Sequence, residues 1–244
     1  MSFVHVERDG AVAVVRLDRD EKLNAISTAV ERELHEALVS DEVRSSRAVA
    51  VEGAGRAFSA GADITEFAER DAAAALQYYR ETGGVYEEFA ALPQPTVVAL
   101  HGWCLGAGLE LALAADFRVA DDTAVLGFPE IGIGILPSSG GTLRATRLLG
   151  QAGAKRLILL GERLAAAEAL QAGLVTEVAP NANLRARELA HRLAGLPATA
   201  VAVTKALIDN LPEASRESAT LIERLAYAVL AQTAEAREAA EGFR

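Results

Sequence analysis

Two glutamates stand where the surrounding sequence gives no reason for a charge. Glu110 lies in GWCLGAGLELALAA (102–115) and Glu130 in AVLGFPEIGIGILP (124–137), each the one carboxylate of a mostly apolar run. Burying an ionised carboxylate costs several kcal/mol, so burial raises its pKa, and a raised pKa suits an acid or base working near neutral pH. A single such residue reads as a structural carboxylate satisfied by a helix N-terminus or an arginine. Two of them beside two glycine-rich loops read as a site. Those loops are SAGAD (59–63) and GAG (106–108), each following a probable strand. Small residues there let backbone N–H groups approach a ligand, and two N–H groups converging on one carbonyl oxygen form an oxyanion hole. Either loop alone reads equally as a tight turn.

Other chemistries lack their signatures. The chain has no G-x-x-x-x-G-K-[ST], no H-E-x-x-H and no G-x-S-x-G, and Leu111 stands where a dinucleotide fingerprint needs its third glycine. The four histidines are scattered and no Cys/His cluster has ligand spacing, so no metal site is expected. Trp103, Cys104 and Phe128 read as core or pocket lining, and His101 as structural. Ser138 and Ser139 read as helix caps or substrate contacts, and Lys205 as a phosphate contact or part of a solvated face.

The elements that must position the two acids follow from periodicity. FVHVERDGAVAVVRLD alternates around Asp9-Gly10 as a hairpin does, and Val30, Leu34, Ala37 and Leu38 recur at helical spacing over Thr28–Val39. RAVAVEG and TVVALHG read as short buried strands, with one long helix between them from about residue 72 to residue 92, ended by Pro93 and Pro95. TVVALHG runs directly into the first acidic stretch, whose residues after Gly108 read as a helix apolar on nearly every side. Short helices are expected from Ser138 to Gly173, then a strand at LVTEVA, then helices to the end. Strands alternating with helices point to an α/β fold with a buried sheet.

Composition narrows the partners. A formal charge of −10 disfavours a general nucleic-acid or anionic-membrane surface. The single cysteine, Cys104, allows no intrachain disulfide, and the opening MSFVHVERDG has neither the basic nor the apolar region of a signal peptide, so a cytoplasmic protein is expected.

GRAFSAGADI, GWCLGAGLELALAADFRVA and LGFPEIGIGILPSSGGTLR, with EKLNAIS before them and AAAEALQAGLVTEVAP after, resemble the successive signatures of the crotonase superfamily, the enoyl-CoA hydratases and isomerases. The resemblance spans essentially the whole chain. It implies a crotonase-like spiral of stacked ββα units over residues 1–190 and a C-terminal helical region, 191–244, that assembles a homotrimer, often a dimer of trimers. It implies an acyl-CoA substrate whose thioester oxygen accepts from the N–H groups of Ala62 and Ala107. Lys22, Leu23, Asp63, Ile64 and Thr65 would border the CoA moiety. Glu110 and Glu130 match the glutamate pair of the hydratases, which favours adding water to a 2-enoyl-CoA, with no cofactor beyond the coenzyme A of the substrate. Isomerisation, decarboxylation or retro-addition on a specialised acyl-CoA is the alternative, and a non-catalytic acyl-CoA binder a further one. An RNA-binding homologue is disfavoured, because the helix TAVERELHEALVSDEVRSSR mixes charge signs instead of forming a lysine stripe.

Overall fold

The alternating segment at the start forms a hairpin, β1 (Val4–Asp9) and β2 (Val12–Leu17), paired from Val4 with Leu17 to Asp9 with Val12. The structure, a computed structural model, describes residues 2–66 and 72–242. Alternation persists in β1 at the sheet edge, whereas β2 is buried everywhere except at Arg16, because it also pairs in parallel with β3 (Ala48–Gly53). β4 (Thr96–Leu100) continues the sheet beyond β3. β5 (Trp103–Leu105) leaves it, β6 (Phe117–Ala120) returns to it, β7 (Val125–Gly127) and β8 (Arg163–Ala165) join β5, and β9 (Glu177–Val178) closes the first sheet. The order is β1-β2-β3-β4-β6-β9 in the larger sheet and β5-β7-β8 in the smaller.

The helices are α1 (Thr28–Val39), α2 (Asp41–Arg44), α3 (Ala72–Glu81), α4 (Val85–Ala90), α5 (Ala107–Ala114), α6 (Gly141–Leu159), α7 (Ala166–Gln171), α8 (Ala182–Ala194), α9 (Ala198–Asn210), α10 (Arg216–Leu230) and α11 (Ala234–Gly242). One face of the larger sheet, with Val15, Val51 and Val98, packs on Leu34, Phe89 and Leu109 from α1, α4 and α5. The opposite face, with Val14, Ala50 and Val97, packs on Ala182, Ala186, Ala190 and Ala194. Alanine at every fourth position gives α8 one smooth stripe, so its backbone lies close against the strands.

A repeated unit explains how this packing builds a site. β4 runs in the larger sheet, β5 in the smaller, and α5 follows; β6 and β7 repeat the pattern before a 3-10 turn at Glu130–Ile133 and α6. The earlier units are abbreviated. After β3 the chain pairs Ser59 with Cys104 of β5, and after β2 it pairs Ile26 with Ala62. Successive units are thereby stacked at the points where strands give way to helices. Among the described residues, no helix is long and apolar enough to cross a membrane.

Several elements differ from their expected form. The single helix over residues 72–92 is two, α3 and α4, broken at Thr82-Gly83-Gly84, where the N–H groups of Thr82 and Gly83 both donate to the Tyr78 carbonyl at 2.9 and 3.0 Å. α6 bends at Gly150 (φ 66°, ψ 172°), and the strand expected over LVTEVA is only Glu177–Val178. Residue 190, the expected end of the core, falls inside α8, whose alanine stripe reaches Ala194. Chain that leaves the sheet begins at α9.

Candidate active site

The stacked strand-to-helix junctions bring the two glycine-rich loops together. Ile26 donates to the Gly61 carbonyl at 2.8 Å and Asp63 donates to the Ile26 carbonyl at 2.8 Å, which turns the intervening Ala62 N–H the other way. Beside it, Gly106 donates to Gly127 O at 3.0 Å and adopts φ 50°, ψ −125°, and Ala107 opens α5. A Cβ on Gly106 would lie 3.7 Å from Gly61 Cα and only 2.8 Å from Glu130 Oε1, so the close approach of loop, loop and carboxylate depends on glycine here. Among the described residues, neither the Ala62 nor the Ala107 N–H donates to a protein acceptor. Ala107 is buried and Ala62 half-buried, and N–H groups left unpaired on two adjoining loops can hold an external oxygen.

Both glutamates lie on the elements that meet here, Glu110 three residues after Ala107 on α5 and Glu130 with its Oε1 against Gly106. Glu110, in the first turn of α5, is 3 % exposed, and its Oε1 accepts from the Ser139 N–H at 2.6 Å and the Gly141 N–H at 2.9 Å. Burial pushes its pKa up to about 7; the two N–H donors and the Arg144 charge oppose that rise, and the neighbouring Glu130 adds to it. Glu130, on the 3-10 turn, is also buried, which raises its pKa, and its Oε2 meets no donor among the described residues. Two buried acids near a pair of unpaired N–H donors can exchange protons with a carbonyl compound whose oxygen accepts from those donors.

The loop expected to border a CoA moiety is built on Asn24. This buried residue sits at φ 54°, and its amide nitrogen donates to Ala54 O at 2.8 Å and Ala57 O at 2.7 Å while its Oδ1 accepts from the Arg19 N–H at 2.7 Å. The turn Lys22-Leu23 is thereby held against the first glycine-rich loop, where Ala60 donates to Leu23 O at 2.9 Å; Lys22 stays exposed at the rim. Ile64 is 66 % exposed beyond the loop. Asp63 is not open to a ligand. Arg19 pairs with its Oδ2 at 2.9 Å and Thr65 donates to its Oδ1; these hydrogen bonds hold its carboxyl below the usual range. Asp63 and Thr65 therefore brace the loop through their side chains.

Other expectations are settled by their contacts. Cys104 is fully buried with its thiol pKa raised, so it carries no thiolate. Trp103 stacks under Arg163 at the surface, and Phe128 is core. Lys205 neither faces solvent nor reaches for a phosphate; its Nζ pairs with Asp116 at 2.9 Å. Ser139 serves through its backbone N–H, and Ser138 bonds Tyr79 of α3 through its hydroxyl. A cleft of about 870 Å³ lies elsewhere, between α9 and the core, and none of Glu110, Glu130, Ala62 or Ala107 lines it. Sequence reading missed Asn24, Arg19, Arg144 and the donors at Ser139 and Gly141. An asparagine within LNAIS, able to take a left-handed backbone, was the one local signal available.

A family model described as enoyl-CoA hydratase/isomerase matches residues 7–244. A short-chain-enoyl-CoA hydratase of Clostridium acetobutylicum is 33 % identical, with all of this chain and 95 % of the relative aligned. A 2,3-dehydroadipyl-CoA hydratase of Escherichia coli K12 is 35 % identical over all of this chain and 96 % of its own. The solved enoyl-CoA hydratase of Thermoplasma volcanium superposes with a TM-score of 0.92 at 32 % identity, covering 100 % of this chain and 98 % of the other. By sequence and by fold, this chain belongs to the enoyl-CoA hydratase/isomerase family.

Proposed function

We propose that the protein is an enoyl-CoA hydratase, adding water across the double bond of a 2-enoyl-CoA to give the 3-hydroxyacyl-CoA. The observation that supports this reading is that two buried glutamates lie on the elements meeting at the two glycine-rich loops, where the Ala62 and Ala107 N–H groups have no acceptor among the described residues. The thioester oxygen accepts from Ala62 and Ala107, which stabilise the enolate as its charge develops, each by about 3 kcal/mol. Glu110, whose two N–H donors favour its anion, takes a proton from water as the oxygen bonds to the β-carbon. Glu130, with no donor on Oε2, gives a proton to the α-carbon. The electron pair returns from the enolate oxygen, and one water has been added. This chemistry calls for no metal or redox group. Lys22, Leu23, Ile64 and the backbone of the Asp63–Thr65 loop form the rim that meets the CoA.

The C-terminal helices support assembly with further copies, as a homotrimer or a dimer of trimers. α9 and α10 bury none of their residues, and Ile208, Leu221, Leu225 and Val229 stand exposed on them. The free, buried thiol of Cys104 fits the cytoplasm.

The test is a panel of 2-enoyl, 3-enoyl and malonyl-type CoA thioesters graded by chain length. The expected result is loss of the enoyl-thioester absorbance with a 2-enoyl substrate, and a loss of about 10²-fold or more in Glu110→Gln and in Glu130→Gln. Full activity in both variants, or turnover confined to the 3-enoyl or malonyl compounds, overturns hydration.

A further inference from the structure

The carboxylate of Glu110 is seated by peptides twenty-nine and thirty-one residues away in sequence, and those peptides are themselves held by a side chain. Arg144, in the first turn of α6, donates from Nη1 to the Ser139 carbonyl at 3.1 Å and from Nη2 to Glu87 Oε1 on α4 at 2.7 Å. Its side chain is 13 % exposed. Between the two seating peptides, Gly140 takes φ 94°, and a Cβ there would lie 2.0 Å from Arg144 Nη1. The chain gives up a side chain at 140 so that the guanidinium can enter. Glu110 is faced by Arg144 from α6, Glu130 from the 3-10 turn and Tyr86 from α4; Arg144 is faced by Glu87 of α4 and Asp209 of α9.

We propose that Arg144 is a positioning residue for Glu110: it fixes the Ser139–Gly141 peptides whose N–H groups hold the carboxylate, and its charge favours the anion that accepts a proton from water. The second half of that statement rests on the hydratase reading; the first does not. A planar guanidinium can grip a carbonyl and a carboxylate at once, which an ammonium does less well, so geometry and charge can be separated by substitution. Glu87 completes the arrangement by holding the far edge of the guanidinium.

The experiment titrates Glu110 directly, by difference infrared spectroscopy of its carboxyl band, assigned by subtraction of the Glu110→Gln spectrum. Arg144→Gln is expected to raise the midpoint by about half to one pH unit. Arg144→Lys, which keeps the charge but loses the two-sided grip, is expected to raise the midpoint by less than Arg144→Gln does. Glu87→Gln leaves Arg144 charged and unopposed, so its midpoint should fall or stay, and this variant keeps the test open if Arg144→Gln does not fold. An unmoved midpoint in Arg144→Gln, an equal shift in Arg144→Lys, or a rise in Glu87→Gln overturns the proposal. On the 2-enoyl substrate, Arg144→Gln should lose about two- to fivefold at pH 7 and recover at pH 9, as a midpoint raised from about 7 requires. A uniform loss at every pH marks a merely structural role. The titration needs no turnover. A wild-type protein inactive on every thioester overturns the hydratase reading, while the midpoints still decide the role of Arg144.

Discussion

Burying Glu110 costs stability, and the pH at which it does so follows from its raised pKa. The carboxyl titrates near 4.3 in an unfolded chain and at about 7 in the fold. Below pH 4 both states bind the proton and nothing is lost. Between pH 4 and 7 the unfolded chain releases it while the native state retains it, so stability falls with rising pH and levels off above 7. The total is of the order of 3 kcal/mol. Glu110→Gln is neutral, similar in shape, and still accepts from Ser139 and Gly141. Urea unfolding should therefore find it about 1–3 kcal/mol more stable than the parent at pH 8 and equal to it near pH 4. A variant less stable at pH 8 would show that the carboxylate is kept for structure. In the active enzyme, the rate of hydration should rise with pH through about 7, as Glu110 becomes the base.

At the scale of elements, short polar loops set the geometry between well-packed strands and helices. Asn24 joins the Lys22-Leu23 turn to the chain after β3 through two hydrogen bonds and closes the turn on Arg19 with a third. Asn24→Ala leaves two carbonyls and one N–H without that partner in a buried position, a cost of about 2–4 kcal/mol. Because the loop borders the proposed CoA rim and not the glutamates, KM for the thioester should rise more than kcat falls, and steady-state kinetics would separate the two. Periodicity was enough for α1, whose apolar spacing gives the observed Thr28–Val39, and for the buried run of β3. It could not place the break at Gly83-Gly84, since Tyr78, Tyr86 and Phe89 continue an apolar pattern across it. The isolated carboxylates marked Glu110 and Glu130 from composition alone, but Ala62 and Ala107 came from the family resemblance. The seat of Glu110 and the Arg19–Asp63 pair depend on residues 29 and 44 positions apart, beyond the reach of any local pattern.

For the molecule as a whole, the contrast is between a buried core and bare C-terminal helices. The larger sheet is covered on its two faces by α1, α4 and α5 and by α8, whereas Leu221, Ile222, Leu225 and Val229 stand exposed on α10, Leu221, Leu225 and Val229 at successive four-residue spacings and Ile222 beside Leu221. A charge of −10 resists nonspecific aggregation, so a face of this kind is more consistent with a specific contact than with general stickiness. Analytical ultracentrifugation should find the protein at three or six times its 25.6 kDa chain mass. Leu221→Glu with Leu225→Glu removes about 2 kcal/mol of apolar burial per residue at each contact and sets like charges against one another across the seam. That double variant should sediment as the single chain while its circular dichroism stays unchanged, because neither side chain is buried within the chain. A parent protein that sediments as one chain, or a double variant that stays assembled, would remove α10 from the interface.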